Sequence, residues 1–132
     1  PGHVLGALVL GRALHRSSLA GHDRVLLHTD GVPQSSLRLL GAVWLLKRVE
    51  YVDAHQSLFS SKGYRFDGCF TKLHVLGLTE YTKVLMLDLD LAILGNPDVL
   101  FELQAPAALR RGCNSTEHGS LIDGRHFFGG EE

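Results

Sequence analysis

Val84-Leu85-Met86-Leu87-Asp88-Leu89-Asp90 decides how this chain is read. Four apolar residues lead into two carboxylates separated by a single leucine, the pattern of a buried strand that emerges from a sheet into solvent. Side chains on extended backbone alternate faces, so Asp88 and Asp90 project to one side while Leu89 points to the other, into the packing. Two carboxylates at that spacing repel each other. A divalent cation offsets the repulsion and keeps ligand positions open for the phosphate oxygens of a substrate. Without such a ligand, the same two residues read as turn-forming or helix-capping aspartates, which are common after strands.

Working outward, residues 4–19 carry Leu5, Leu8, Val9, Ala13 and Leu14 at near-helical spacing, with Arg12, His15 and Arg16 on the wetter side, and predict a first helix. Residues 24–29 form a short apolar run closed by Asp30-Gly31, a strand ending in a turn. Pro33 opens a second helix whose apolar face is Leu37, Leu40, Val43, Trp44 and Leu46, running to about Lys47. Residues 49–53 then read as a second strand, 54–68 as a polar loop with functional groups, 71–78 as a short third helix and 83–87 as a third strand. Beyond the two aspartates, Asn96-Pro97-Asp98 opens a short helical turn, residues 107–109 read as a further strand, and 112–130 as a long loop. Helices alternate with strands that are apolar on both faces. This is the signature of the α/β class, a mainly parallel sheet covered by helices. Ligands bind such sheets beyond the carboxyl ends of their strands, where Asp88 and Asp90 stand.

The 132 residues are 45% hydrophobic and 20% charged with a net charge of −1, which suits a single domain with its own core. The absence of a basic excess argues against nucleic acid as a partner, and no polybasic segment points to an anionic membrane. The apolar run at 4–10 is interrupted by Arg12 and Arg16, well short of the roughly 20 residues that span a bilayer. It also lacks the charged leader of a signal peptide, so no membrane segment is read. Cys69 and Cys113 are far apart and without CxxC spacing. They offer neither a zinc knuckle nor a disulfide framework and fit a reducing, cytoplasmic compartment. Opening at Pro1 in mid-pattern and closing at Glu131-Glu132 after a glycine-rich stretch, the chain reads as a fragment.

Two phosphate chemistries place Asp-x-Asp after a strand. Phosphatases resembling the haloacid dehalogenases want Thr or Val two residues after the second Asp, on the first strand of the domain; here that position is Ala92 and several elements precede it. That reading is the weaker one. The alternative holds Mn²⁺ or Mg²⁺ against the diphosphate of a nucleotide sugar. Phe70-Thr71-Lys72-Leu73-His74, Leu78-Thr79-Glu80-Tyr81-Thr82-Lys83-Val84, Met86-Leu87-Asp88-Leu89-Asp90 and Leu94-Gly95-Asn96-Pro97-Asp98-Val99-Leu100-Phe101 follow one another in order. With Gly6-Ala7-Leu8-Val9-Leu10-Gly11 as a first helix, this block resembles the glycogenin-like retaining glycosyltransferases of family eight. Agreement is nearly contiguous over 70–101, weaker over 6–66 and slight after 109. A run of that length is far more specific than Asp-x-Asp alone.

The resemblance implies a Rossmann-like nucleotide-diphospho-sugar transferase fold, present as a single partial domain incomplete at both ends. The family's opening strand, with most contacts to uracil and ribose, would precede Pro1. A third metal ligand, a His, and an Asn-x-Gly segment that touches the sugar would follow Glu132. It further implies a UDP-sugar donor, Mn²⁺ (or Mg²⁺) on Asp88 and Asp90, and transfer of a hexose with retention to a hydroxyl of a glycan or protein acceptor. A homodimer is compatible with it. Lys72 matches the lysine of the family's Thr-Lys-Leu and would add positive charge near sugar and phosphate; with Asp90 it is the expected catalytic group. Taken alone it is a solvated helix lysine. His3, where a base-stacking tyrosine is usual, Arg65, near a substrate-contacting arginine, and Leu89 complete the expected nucleotide-binding set with Lys72, Asp88 and Asp90. The chemistry agrees: oxygen ligands suit a hard cation, and neutralising the leaving diphosphate lowers the barrier to breaking the anomeric bond.

Other candidates carry less. Tyr64 or Phe66 would stack on a ligand, yet aromatics in such loops more often anchor them to the core. His118 and His126 flank Asp123 without a second ligand pair, and His74 reads as a packing or capping residue. The segment 118–130 reads either as a lid or acceptor-recognition insert or as a surface insertion. A non-catalytic nucleotide-sugar-binding module of the same fold competes with the enzyme.

Overall fold

The computed structural model describes residues 2–18, 20–52, 68–109 and 121–123. Helix α1 spans Gly2–Ser17 and buries Ala7, Leu10, Gly11 and Leu14. Those positions recur at three- and four-residue intervals and form one stripe along the helix. His15 and Arg16 lie in its last turn, where cations offset the partial negative charge of free carbonyls. Gly21, at φ 67°, then turns the chain toward the sheet.

Strand β1 (Val25–His28) pairs in parallel with β2 (Leu45–Arg48), Val25 opposite Leu45 and His28 opposite Arg48. A parallel pair needs a crossover, and α2 (Gln34–Leu40) supplies it, entered through Pro33 at φ −59°. The second helix is therefore shorter than its apolar spacing predicts, and the second strand lies four residues earlier than 49–53. The reason is Gly41 and Trp44. The Gly41 N–H bonds the Leu37 carbonyl at 2.8 Å and the Trp44 N–H the Leu40 carbonyl at 3.0 Å, closing the helix in a turn. From that turn the Trp44 indole N–H donates to the Ala7 carbonyl at 2.8 Å. A largely covered indole needs such a partner, and a continued helix would have carried it away from α1.

The third helix is a 3₁₀ helix, Cys69–Gly77, entered through Gly68 at φ 79°. His74 Nε2 donates to the Glu50 carbonyl at 2.9 Å, tying this helix to the chain that follows β2. Residues 83–88 form no helix and belong to no sheet among the described residues, so the expected third strand is not part of the parallel sheet. Lys83 explains part of this, since its ammonium donates to the carbonyls of Phe101 (2.6 Å) and Leu103 (2.8 Å) and ties the segment to the second 3₁₀ helix, Pro97–Glu102. That helix starts as predicted, with the Asn96 side chain accepting from the Asp98 N–H at 3.0 Å. Asp98 also accepts from Ser18 Oγ at 2.6 Å and from the Ala20 N–H at 2.9 Å, fastening the end of α1 to it.

Strand β3 (Ala108–Leu109), close to its expected place, pairs antiparallel with β4 (Leu121–Ile122). The pairing corrects the reading of 112–130 as loop throughout: Leu121-Ile122 is a short apolar step whose backbone groups find partners in β3. The architecture is α/β, helices with a small parallel sheet. No helix among the described residues is long and apolar enough to cross a membrane.

Gly11 tests the packing of α1. A Cβ there would lie 2.6 Å from Trp44 Nε1, whereas one at Gly2 meets nothing within 4 Å. Gly11→Val is expected to lower unfolding free energy by about 1–3 kcal/mol through overpacking; Gly2→Ala is the neutral control, both read by urea denaturation.

Candidate functional site

A cavity of about 400 Å³ lies among β1, the first 3₁₀ helix and the segment before the aspartates. Its lining is chiefly apolar, with Leu26, Trp44, Leu78 and Met86 among the contributors. In a 3₁₀ helix, side chains three apart eclipse. Lys72, Val75 and, just past the helix end, Leu78 accordingly all line the cavity. The position of Lys72 is thus set by the tighter helix rather than by the α-helical spacing read from sequence.

Along residues 84–90 exposure alternates: Leu85, Leu87 and Leu89 are half-buried, while Val84, Met86, Asp88 and Asp90 are exposed. The alternation predicted for a strand holds without a ladder. The cause is α1, which approaches this segment so closely that a Cβ on Gly6 would lie 3.0 Å from the Leu89 carbonyl oxygen. Leu89 faces the packing, and the two carboxylates stay in solvent. Asp88 lines the cavity, and Asp90 follows one residue past the last lining residue of the segment.

Lys72 Nζ stands 3.4 Å from Asp88 Oδ1, both side chains being more than half exposed. Lys72, Asp88 and Leu89 are therefore brought together at the cavity. His3 is not: it is exposed on the first turn of α1 and does not line the cavity. Arg65, Tyr64, Phe66, His118 and His126 lie outside the described residues. Asp123, between those two histidines in sequence, is buried.

The donor set suits a hard cation only in part. Among the described residues no group of three or more His, Cys, Asp or Glu side chains is placed to hold a metal. Mg²⁺-like ions are commonly held by one or two carboxylates, with phosphate oxygens and water completing the shell. Asp88 beside the Lys72 ammonium, with exposed Asp90 two residues on, matches that chemistry and fits no closed, all-protein cage.

Tyr81 and Asp23 also line the cavity, and the sequence carried no sign of them as a pair. The Tyr81 hydroxyl donates to Asp23 Oδ2 at 2.9 Å across 58 residues. That hydrogen bond first, then partial desolvation and the Asp23 charge, raise the Tyr81 phenol above its ordinary value. Only the fold could reveal it, because the two residues stand 58 apart and no local spacing pairs them.

Searches of protein-family models and of solved structures give no match. Curated proteins do match. The chain is 39% identical over 107 residues to an uncharacterized protein of Acanthamoeba polyphaga mimivirus, covering 80% of this chain and 38% of that one. It is 31% identical over 107 residues to UDP-glucuronate:xylan alpha-glucuronosyltransferase 2 of Arabidopsis thaliana, covering 80% of this chain and 17% of the relative. It is 34% identical over 111 residues to human glycogenin-1, covering 80% of this chain and 31% of the relative. The chain thus spans well under half the length of each of these relatives.

Tyr81 supplies a pH test. Because its folded value is raised, its contribution to stability is fully present below the unfolded value of about 10 and is lost as pH rises through the folded value. The absorbance difference between wild type and Tyr81→Phe should show a phenol ionising above about pH 10, and Asp23→Asn should move that midpoint down.

Proposed function

Kinship with glycogenin-like glycosyltransferases is the premise from which we propose that this chain is the donor-binding part of a metal-dependent enzyme, one that transfers a hexose from a UDP-sugar to a hydroxyl of a glycan or protein, with retention. The observation that carries the proposal is Asp88 and Asp90, both exposed, with Asp88 3.4 Å from Lys72 at a cavity. It is supported by similarity to glycosyltransferases along 80% of the chain.

Asp88 and Asp90 would hold Mn²⁺ or Mg²⁺ through their oxygens. Such an ion, when bound, supplies positive charge against the departing diphosphate. Lys72 would add a second positive charge at a phosphate or sugar oxygen. In the transfer, the bond from the anomeric carbon to the diphosphate oxygen breaks, and the acceptor oxygen bonds to that carbon on the same face. The acceptor proton leaves with the newly freed diphosphate or with solvent. A reducing, cytoplasmic compartment belongs to the same proposal.

Calorimetric titration of UDP with and without Mn²⁺ tests the reading. UDP should bind at least about tenfold more tightly with the metal, as expected for loss or gain of a charge-assisted contact. Asp88→Asn should abolish that dependence. It should leave the melting temperature nearly unchanged, since an exposed ion pair is worth at most about 1 kcal/mol. Equal UDP affinity with and without Mn²⁺ contradicts the proposal. Binding without UDP-sugar turnover in a longer form of the protein would favour the non-catalytic module.

A further inference from the structure

The contact between Lys72 and Asp88 has the features of an exchangeable pair, an inference that rests on the metal and diphosphate reading above. The separation is 3.4 Å, and the side chains are 52% and 63% exposed. An ion pair so open to water is weak, shifting an equilibrium by at most about fivefold. The lysine stem leaves a helix whose neighbouring face, Val75 and then Leu78, lines the cavity. Its base is fixed while the ammonium, on four methylenes, swings freely.

Asp88 cannot serve an ammonium and a divalent cation at close range without setting two positive charges against each other. We propose that Lys72 is an exchangeable counter-charge that couples metal to donor. While no ligand is bound it neutralises Asp88; when a divalent cation takes that carboxylate, Lys72 moves to an oxygen of the nucleoside diphosphate. Metal alone must bind against the lysine. The diphosphate gives the lysine a new partner, so each ligand strengthens the other, and by linkage the strengthening is reciprocal. This role goes beyond fixed positive charge near the phosphates: it makes the lysine unfavourable for one ligand and favourable for the other.

The two signs make the test decisive. Free Mn²⁺ would be followed by electron paramagnetic resonance in wild type, Lys72→Met and Lys72→Arg without nucleotide, and UDP binding by calorimetry with Mn²⁺ present. Lys72→Met should bind Mn²⁺ alone about two- to fivefold more tightly and bind UDP with Mn²⁺ about tenfold more weakly. Lys72→Arg, which keeps the charge, should stay close to wild type in both. Opposite shifts cannot arise from a poorly folded variant. If Lys72→Met weakens or leaves unchanged the binding of Mn²⁺ alone, or leaves UDP affinity unchanged, the exchange is overturned while the metal site stands. If wild type shows no Mn²⁺-dependent UDP binding, the site itself fails and the exchange with it.

Discussion

The close approach of α1 to the backbone at Leu89 is the constraint on which the rest depends. It exists because position 6 is glycine: a Cβ there would lie 3.0 Å from the Leu89 carbonyl oxygen. With the backbone held at that point, exposure alternates along the segment, leaving Leu87 and Leu89 half-buried and Asp88 and Asp90 in solvent. The same helix uses Gly11 to seat Trp44 and the Ala7 carbonyl to satisfy its indole N–H. One stripe of α1 therefore sets both the layer formed by β1 and β2 and the position of the acidic residues.

Stability and chemistry are separated in this arrangement. Among the described residues, the buried apolar ones are Ala7, Leu10, Leu14, Leu40 and Leu78, three of them on α1. Asp98 fastens the end of that helix through Ser18 and Ala20. Lys72 and Asp88, by contrast, are more than half exposed and contribute little to folding, which leaves them free to rearrange around a ligand. Removing one should alter binding more than it alters the fold.

Much of this was legible in the sequence, and the gaps have physical causes. The first helix and β1 followed from apolar spacing, and the Asn96-Pro97-Asp98 start from its turn chemistry. The second helix was overextended because Val43, Trp44 and Leu46 continue a helical apolar pattern past Gly41; their real partners lie on α1 and in the sheet, which periodicity cannot express. Segment 83–87 has the composition of a strand, yet among the described residues it joins no ladder. Within the candidate site, the proximity of Asp88 and Lys72 came from a contiguous motif. The bond from Tyr81 to Asp23 joins residues too far apart for any local signal.

Phosphorus hyperfine coupling to Mn²⁺, measured by electron-nuclear double resonance with UDP added to this chain, is the most direct measurement of whether its two aspartates clamp a pyrophosphate through a cation. Strong coupling in wild type that disappears on Asp88→Asn is the predicted result. Mn²⁺ that binds the chain without phosphorus coupling, or coupling that survives loss of the Asp88 charge, would contradict it.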